Sequence, residues 1–109
     1  MPENTSITIK VINSDKQQSP PTQEEIEAKL RQEGYEVFCW TDLPGVIYPR
    51  HKHTEDQCIW IIEGELEFQV GEQLYNLHAG DRIYLPSSTA HMVKTPKLTS
   101  ATYVVGKKY

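Results

Sequence analysis

The chain has 109 residues, 38% of them hydrophobic and 9% aromatic, which suits one globular core and not two. No run approaches the roughly 18 apolar residues that a bilayer span requires, and eleven basic against fifteen acidic residues give a formal charge of -4. That balance offers no strong attraction to phosphate backbones or anionic lipid, so neither nucleic acid nor membrane is expected as a partner.

The start, Met1-Pro2-Glu3-Asn4, lacks the basic and apolar pattern of a secretory signal, and a cytoplasmic location is expected. Thr5 to Ile12 sets Ile7, Ile9 and Val11 on one face and Ser6, Thr8 and Lys10 on the other, a two-residue period that predicts a half-buried strand. From Asn13 to Pro21 the composition turns to Ser, Asp, Gln and Pro, the chemistry of a linker. Thr22 then opens a capping box with Glu25, Ile26 and Leu30 stand one helical turn apart, and Gly34 is placed to stop the helix. A short amphipathic helix from about Gln23 to Glu33 is predicted.

Beyond Gly34 the pattern is β: Tyr35 to Trp40, Val46 to Tyr48, Gln57 to Ile62, Glu65 to Val70, Leu74 to Leu77, Arg82 to Leu85, His91 to Lys94 and Leu98 to Val105. Short runs divided by Gly, Pro and polar turns predict an all-β sandwich or barrel. Glu65 to Val70 alternates, which sends Leu66, Phe68 and Val70 inward. Cys58-Ile59-Trp60-Ile61-Ile62 does not alternate, so both faces of its strand should be covered. The N-terminal helix, the N-terminal strand or the same sheet of a second subunit could supply the outer cover; a homodimer is the preferred expectation. Cys39 and Cys58 lie in apolar runs without CxxC spacing and are expected as buried free thiols with no function.

His51 and His53 are two apart, so on a strand both imidazoles project from one face, close enough to grip one ion. Gln57 follows at a further even offset. The pair belongs to a larger pattern: Gly45, five residues, His51-Lys52-His53, three residues, Gln57, six residues, Gly64; then Gly80, five residues, Pro86, and His91 five beyond it.

This pattern resembles the two motifs of the cupin superfamily, G-x5-H-x-H-x3/4-E-x6-G and G-x5-P-x-G-x2-H-x3-N, from about Tyr35 to Val105. The resemblance implies an RmlC-like jelly-roll β-barrel, preceded by a short N-terminal strand and helix. The chain then divides into residues 1–34, the N-terminal strand and helix, and 35–109, the barrel, within a single domain. By position the resemblance makes His51, His53 and His91 ligands of one divalent transition metal (Zn, Fe, Ni, Cu or Mn), with Gln57 in the glutamate slot. Ser88 replaces a motif glycine and Thr95 the closing asparagine.

Gln57 is the departure with chemical weight. An amide brings a carbonyl oxygen but no charge, so the ion would keep its full positive charge and attract anionic ligands. Nor can an amide take a proton as a general base. Glu55 and Asp56 are the nearest carboxylates; one could swing toward the ion if the turn after His53 is loose, but adjacent acids in a turn are expected to be solvated. His78 is expected at the surface. Tyr48, Trp60, Tyr84 and Tyr103 are expected in packing or at an interface, and parity does not decide which of them lines the barrel mouth.

Function stays open among a metal-dependent enzyme (dioxygenase, isomerase or lyase) acting on a small organic molecule, a non-catalytic metal and small-ligand binding or sensor module, and a metal-free sugar-type cupin. The retained histidines argue against the last, and no catalytic residue is assigned.

Overall fold

The computed structural model describes residues 9–15 and 17–109. Its elements in chain order are β1 (Lys10–Ile12), α1 (Gln23–Gln32), β2 (Glu36–Asp42), β3 (Ile47–His51), β4 (Asp56–Glu63), β5 (Glu65–Val70), β6 (Gln73–His78), β7 (Arg82–Leu85), β8 (His91–Lys94) and β9 (Ala101–Lys108). The strands form two antiparallel sheets, ordered β1-β7-β4-β9-β2 and β3-β8-β5-β6. Their inner faces share one core, in which Ile61, Leu66, Phe68, Leu77 and Ile83 are at most 1% exposed. Leu66, Phe68 and Val70 point inward as their alternation predicts.

Both ends of α1 follow their residues. The Thr22 hydroxyl accepts from the Glu25 amide at 3.2 Å while the Glu25 carboxylate accepts from the Thr22 amide at 2.8 Å, a complete capping box. Glu33 caps the C-terminus and Gly34 turns left-handed at φ 97°, letting the Tyr35 amide reach the Leu30 carbonyl at 2.9 Å. The helix lays Ile26 and Leu30, both 0% exposed, on Cys58, Trp60 and Val104. Burying that pair of aliphatic side chains contributes on the order of 3–6 kcal/mol as an upper bound.

This second core answers the two-sided apolar run of β4. Ile59 and Ile61 face the barrel, whereas Cys58 and Trp60 face α1, so the helix supplies the cover for which a second subunit was preferred. Trp60 is further held by its indole N–H donating to the Gly80 carbonyl at 3.1 Å and by the Arg82 guanidinium 4.1 Å above its ring.

Several strand bounds differ from their predictions. Of the Thr5 to Ile12 strand the described residues show β1, with Lys10 opposite Tyr84 at the sheet edge; residues 5–8 lie outside the described ones. The last strand starts at Ala101 rather than Leu98, because its partner β2 ends at Asp42 opposite Ala101, and Leu98 is left 92% exposed in the preceding turn.

The motif departures keep their geometry. Ser88 takes φ 63°, the left-handed conformation a glycine adopts freely, at a cost of about 1–2 kcal/mol. Its amide donates to the His53 carbonyl at 2.6 Å, tying the turn before β8 to the histidine loop. Thr95 sends both its amide and its hydroxyl to the Val46 carbonyl, at 2.9 and 3.2 Å, and so pins β8 beside β3.

Candidate metal centre

His51 closes β3 and His91 opens β8, and the two strands pair them directly across from each other after a bulge that follows Tyr48. His53 sits just beyond β3, placed by the Ser88 hydrogen bond to its carbonyl. The ring centroids lie 4.8 Å (His51 to His53), 4.5 Å (His51 to His91) and 5.5 Å (His53 to His91) apart. One nitrogen from each ring falls within 4.8 Å of the others, and this cluster could hold a metal ion.

The backbone fixes which nitrogen each ring offers. His51 Nδ1 lies 2.7 Å from the Pro49 carbonyl and His91 Nδ1 2.9 Å from the Thr89 carbonyl. A carbonyl only accepts, so each Nδ1 carries the proton and each Nε2 keeps its lone pair. Imidazole ligands of metals are commonly held this way, through the other ring nitrogen. Burial lowers the pKa of His91 and of His53, with repulsion from the neighbouring imidazoles adding to it. Neutral rings with a free lone pair are the form a metal binds, so the donor set fits a transition metal.

Gln57 begins the buried part of β4 and is 5% exposed. Its amide nitrogen donates to Glu55 Oε2 at 2.9 Å. Because a carboxylate cannot donate, the end of the amide that meets it must be the nitrogen, which leaves Oε1 as the available atom. The Glu55 side chain is only 9% exposed, with Oε2 3.8 Å from His53 Nδ1 and 4.0 Å from Lys107 Nζ. The bond from Gln57 holds the Glu55 carboxyl below the usual range, outweighing burial. The expectation of solvated acids is thus corrected for Glu55; the Asp56 carboxylate accepts from the Ser87 amide at 2.8 Å in an exposed bond that braces the turn before β8. His78 is at the surface as expected, its side chain 64% exposed and 3.0 Å from Glu65.

The cluster opens onto a cavity of about 360 Å³ whose walls include Phe38, Trp40, Tyr48, Phe68 and Tyr103, with Gln57 and Lys107 beside the histidines. Tyr48 and Tyr103 are therefore the cavity tyrosines, whereas Trp60 and Tyr84 belong to the helix-covered face. Three of the aromatic side chains in that wall share one buried carboxylate. Asp42, 3% exposed, accepts from the Tyr48 hydroxyl at 2.5 Å, the Tyr103 hydroxyl at 2.6 Å and the Trp40 indole N–H at 2.9 Å. Burial, reinforced by Asp42, raises the pKa of both tyrosines and keeps them protonated. Sequence reading missed Asp42 and Lys107. The signal for Asp42 was its even offset from Trp40, which puts both on one face of β2.

The Cupin domain profile matches residues 38–105, more than half of the chain. The chain belongs to the cupin family. Among solved structures this cupin is similar to a cupin-2 domain protein from Shewanella frigidimarina, at 17% identity and TM-score 0.61, over 69% of this chain and 71% of that one. It is also similar to the DMSP lyase DddQ from Ruegeria pomeroyi, at 25% identity and TM-score 0.63, over 69% of this chain and 38% of that one. A curated relative, the uncharacterized HTH-type transcriptional regulator YdeC of Bacillus subtilis (strain 168), is 32% identical over 56 residues. That stretch is 51% of this chain and 19% of the relative, so the match spans about a fifth of the relative's length.

Proposed function

We propose that this cupin binds one divalent transition metal ion on His51, His53 and His91, with Gln57 Oε1 as a fourth protein ligand, and uses it to bind or transform a small organic molecule. The observation that carries this reading is the pair of Nδ1–H bonds to the Pro49 and Thr89 carbonyls, which turn unprotonated Nε2 atoms on converging rings to one point. The ion would supply Lewis acidity or a site for oxygen; imidazole donors favour Zn, Fe, Ni, Cu or Mn over Mg or Ca.

The cavity's 360 Å³ lies at the small end of ligand pockets, and its apolar waist of Phe38, Phe68 and Val93 suits a compact molecule with one oxygen donor for the ion. The chain's own groups bind and orient such a molecule. Among the described residues the two carboxylates nearest the cavity already accept hydrogen bonds, Glu55 from Gln57 and Asp42 from the two tyrosines and Trp40. That engagement favours a second reading, a ligand-binding or sensor module, which the partial likeness to a transcriptional regulator also supports. The likeness to a lyase supports the enzyme reading instead.

Metal analysis of untagged protein separates these ideas from a metal-free barrel. About one transition metal per chain is expected, and the double variant His51→Ala with His53→Ala should carry none; stoichiometric metal in that variant would remove the ligand assignment.

A single working domain in the reducing cytoplasm accords with the unpaired Cys39 and Cys58. A homodimer stays part of the proposal on a new surface, the sheet edge at β2, where Phe38 and Trp40 are 42% and 51% exposed with Leu43 at 71% close by. Sedimentation should give a dimer at micromolar concentration, and a monomer there would end this part of the reading.

A further inference from the structure

We propose that Glu55 is a positioning residue for the metal ligands: by holding the Gln57 amide nitrogen it aims Oε1 at the ion. It also returns to the site, one side chain away, the negative charge that glutamine removed. The proposal rests on the metal centre argued above.

A glutamine in a ligand slot has a problem that glutamate lacks. The two ends of the amide are nearly the same size, but only the oxygen has lone pairs for a metal; the amide nitrogen is a donor. Something must break the symmetry. Glu55 Oε2 does so at 2.9 Å, because a flipped amide would set its oxygen against a carboxylate oxygen. The charge-assisted bond also draws electron density toward Oε1, making the amide a stronger ligand than an unpartnered one.

The same carboxylate serves His53. His51 and His91 have their Nδ1 atoms committed to the Pro49 and Thr89 carbonyls, whereas His53 Nδ1 faces Glu55 Oε2 at 3.8 Å. At that distance Glu55 is a charged neighbour of the third imidazole, not the hydrogen-bond partner that the backbone gives the other two. Glu55 is itself confined, its side chain 9% exposed and its Oε2 4.0 Å from Lys107 Nζ, on the strand residue paired opposite Gln57. A carboxylate merely solvated in a turn would have none of these neighbours.

The test is titration of the metal-free protein with Co²⁺, whose visible spectrum reports the number and kind of its ligands. Glu55→Ala removes the anchor and should weaken Co²⁺ binding about ten- to a hundredfold, with an altered spectrum. Glu55→Gln keeps an oxygen that can accept from Gln57, so it should retain the wild-type spectrum with a smaller loss. Glu55→Ser, too short to reach Gln57, stands in should the alanine variant not fold. Equal losses in the Ala and Gln variants with unchanged spectra would reduce Glu55 to a distant charge and overturn the positioning role. So would an alanine variant that binds like wild type. A wild type that takes up no Co²⁺ overturns the metal centre and this proposal together, whereas wild-type uptake with an indifferent alanine variant overturns this proposal alone.

Discussion

Two polar clusters adjoin the cavity of this cupin, one on Asp42 and one on the histidines, and they use the same chemistry in opposite ways. In the Asp42 cluster a buried carboxylate accepts from Tyr48, Tyr103 and Trp40, and the hydroxyls that could face a ligand as donors are already donating to it. In the histidine cluster the hydrogen bonds of His51 and His91 run outward to carbonyls, and the lone pairs on the cavity side are left over. The surroundings shift the two sets of groups in the directions that preserve this division: the phenols are pushed up and stay protonated donors, while His53 and His91 are pushed down and stay neutral acceptors. A buried polar cluster whose bonding capacity is consumed internally works as a structural tie, here joining β2, β3 and β9 across the two sheets. One that keeps capacity in reserve is a site.

If that division is right, damage to the two clusters should read out differently. The largest stability effect is expected from Asp42→Ala, which strands two hydroxyls and an indole N–H without their acceptor and should cost about 3 kcal/mol in urea unfolding, allowing for partial access of water to Trp40 and Tyr48. The alanine variant should still bind metal. A loss below about 1 kcal/mol would mean that the Asp42 cluster is not a tie.

Raising the pH attacks the same cluster together with the helix-covered face. Cys58 is pushed up from 9.0 to about 12 and Tyr35 from 10.0 to about 12, chiefly by burial, and burial moves Tyr48 and Tyr103 in the same direction. The folded state holds these protons more tightly than the unfolded chain. Their contribution is therefore complete below about pH 9 and is lost as the pH rises through about 12. The melting temperature should fall progressively over that window; a flat profile to pH 12 would contradict the burial assigned to these groups.

The smallest effect is expected in the histidine cluster. In the presence of a chelator the His51→Ala, His53→Ala protein should unfold within about 1 kcal/mol of wild type, since neither ring fills the core and half-exposed hydrogen bonds are worth little. A large loss of apo stability would make the histidines structural and the two clusters one kind.

Much of the fold was legible because its local rules agree. The Thr22–Glu25 box and Gly34 bracket α1 in the sequence as in the structure, and the alternation of β5 and the fullness of β4 each report how many faces are covered. Which element covers β4 was not legible, and the expected second subunit gave way to α1. Apolarity states that a face is buried but not by what, and the answer depends on a linker whose path no periodicity encodes. Leu98 was assigned to a strand for a related reason: strand propensity is local, but strand ends are set by the partner, here Asp42 opposite Ala101.

The spacing of His51 and His53 suggested a shared face, and the resemblance to the cupin motifs added His91 and the slot of Gln57; the structure sets His53 just beyond β3, where the bond from Ser88 holds it. The sequence by itself therefore determined the fold class, the helix boundaries and the residues able to form a centre. The tertiary structure decided how their capacity is spent: which nitrogen each imidazole offers, that Gln57 meets Glu55 through its nitrogen, that Glu55 is enclosed rather than solvated, and that Asp42 reaches tyrosines on two other strands. Each of these is a hydrogen bond whose direction or partner depends on atoms brought together across a turn or between strands, and neither residue type nor spacing records that meeting.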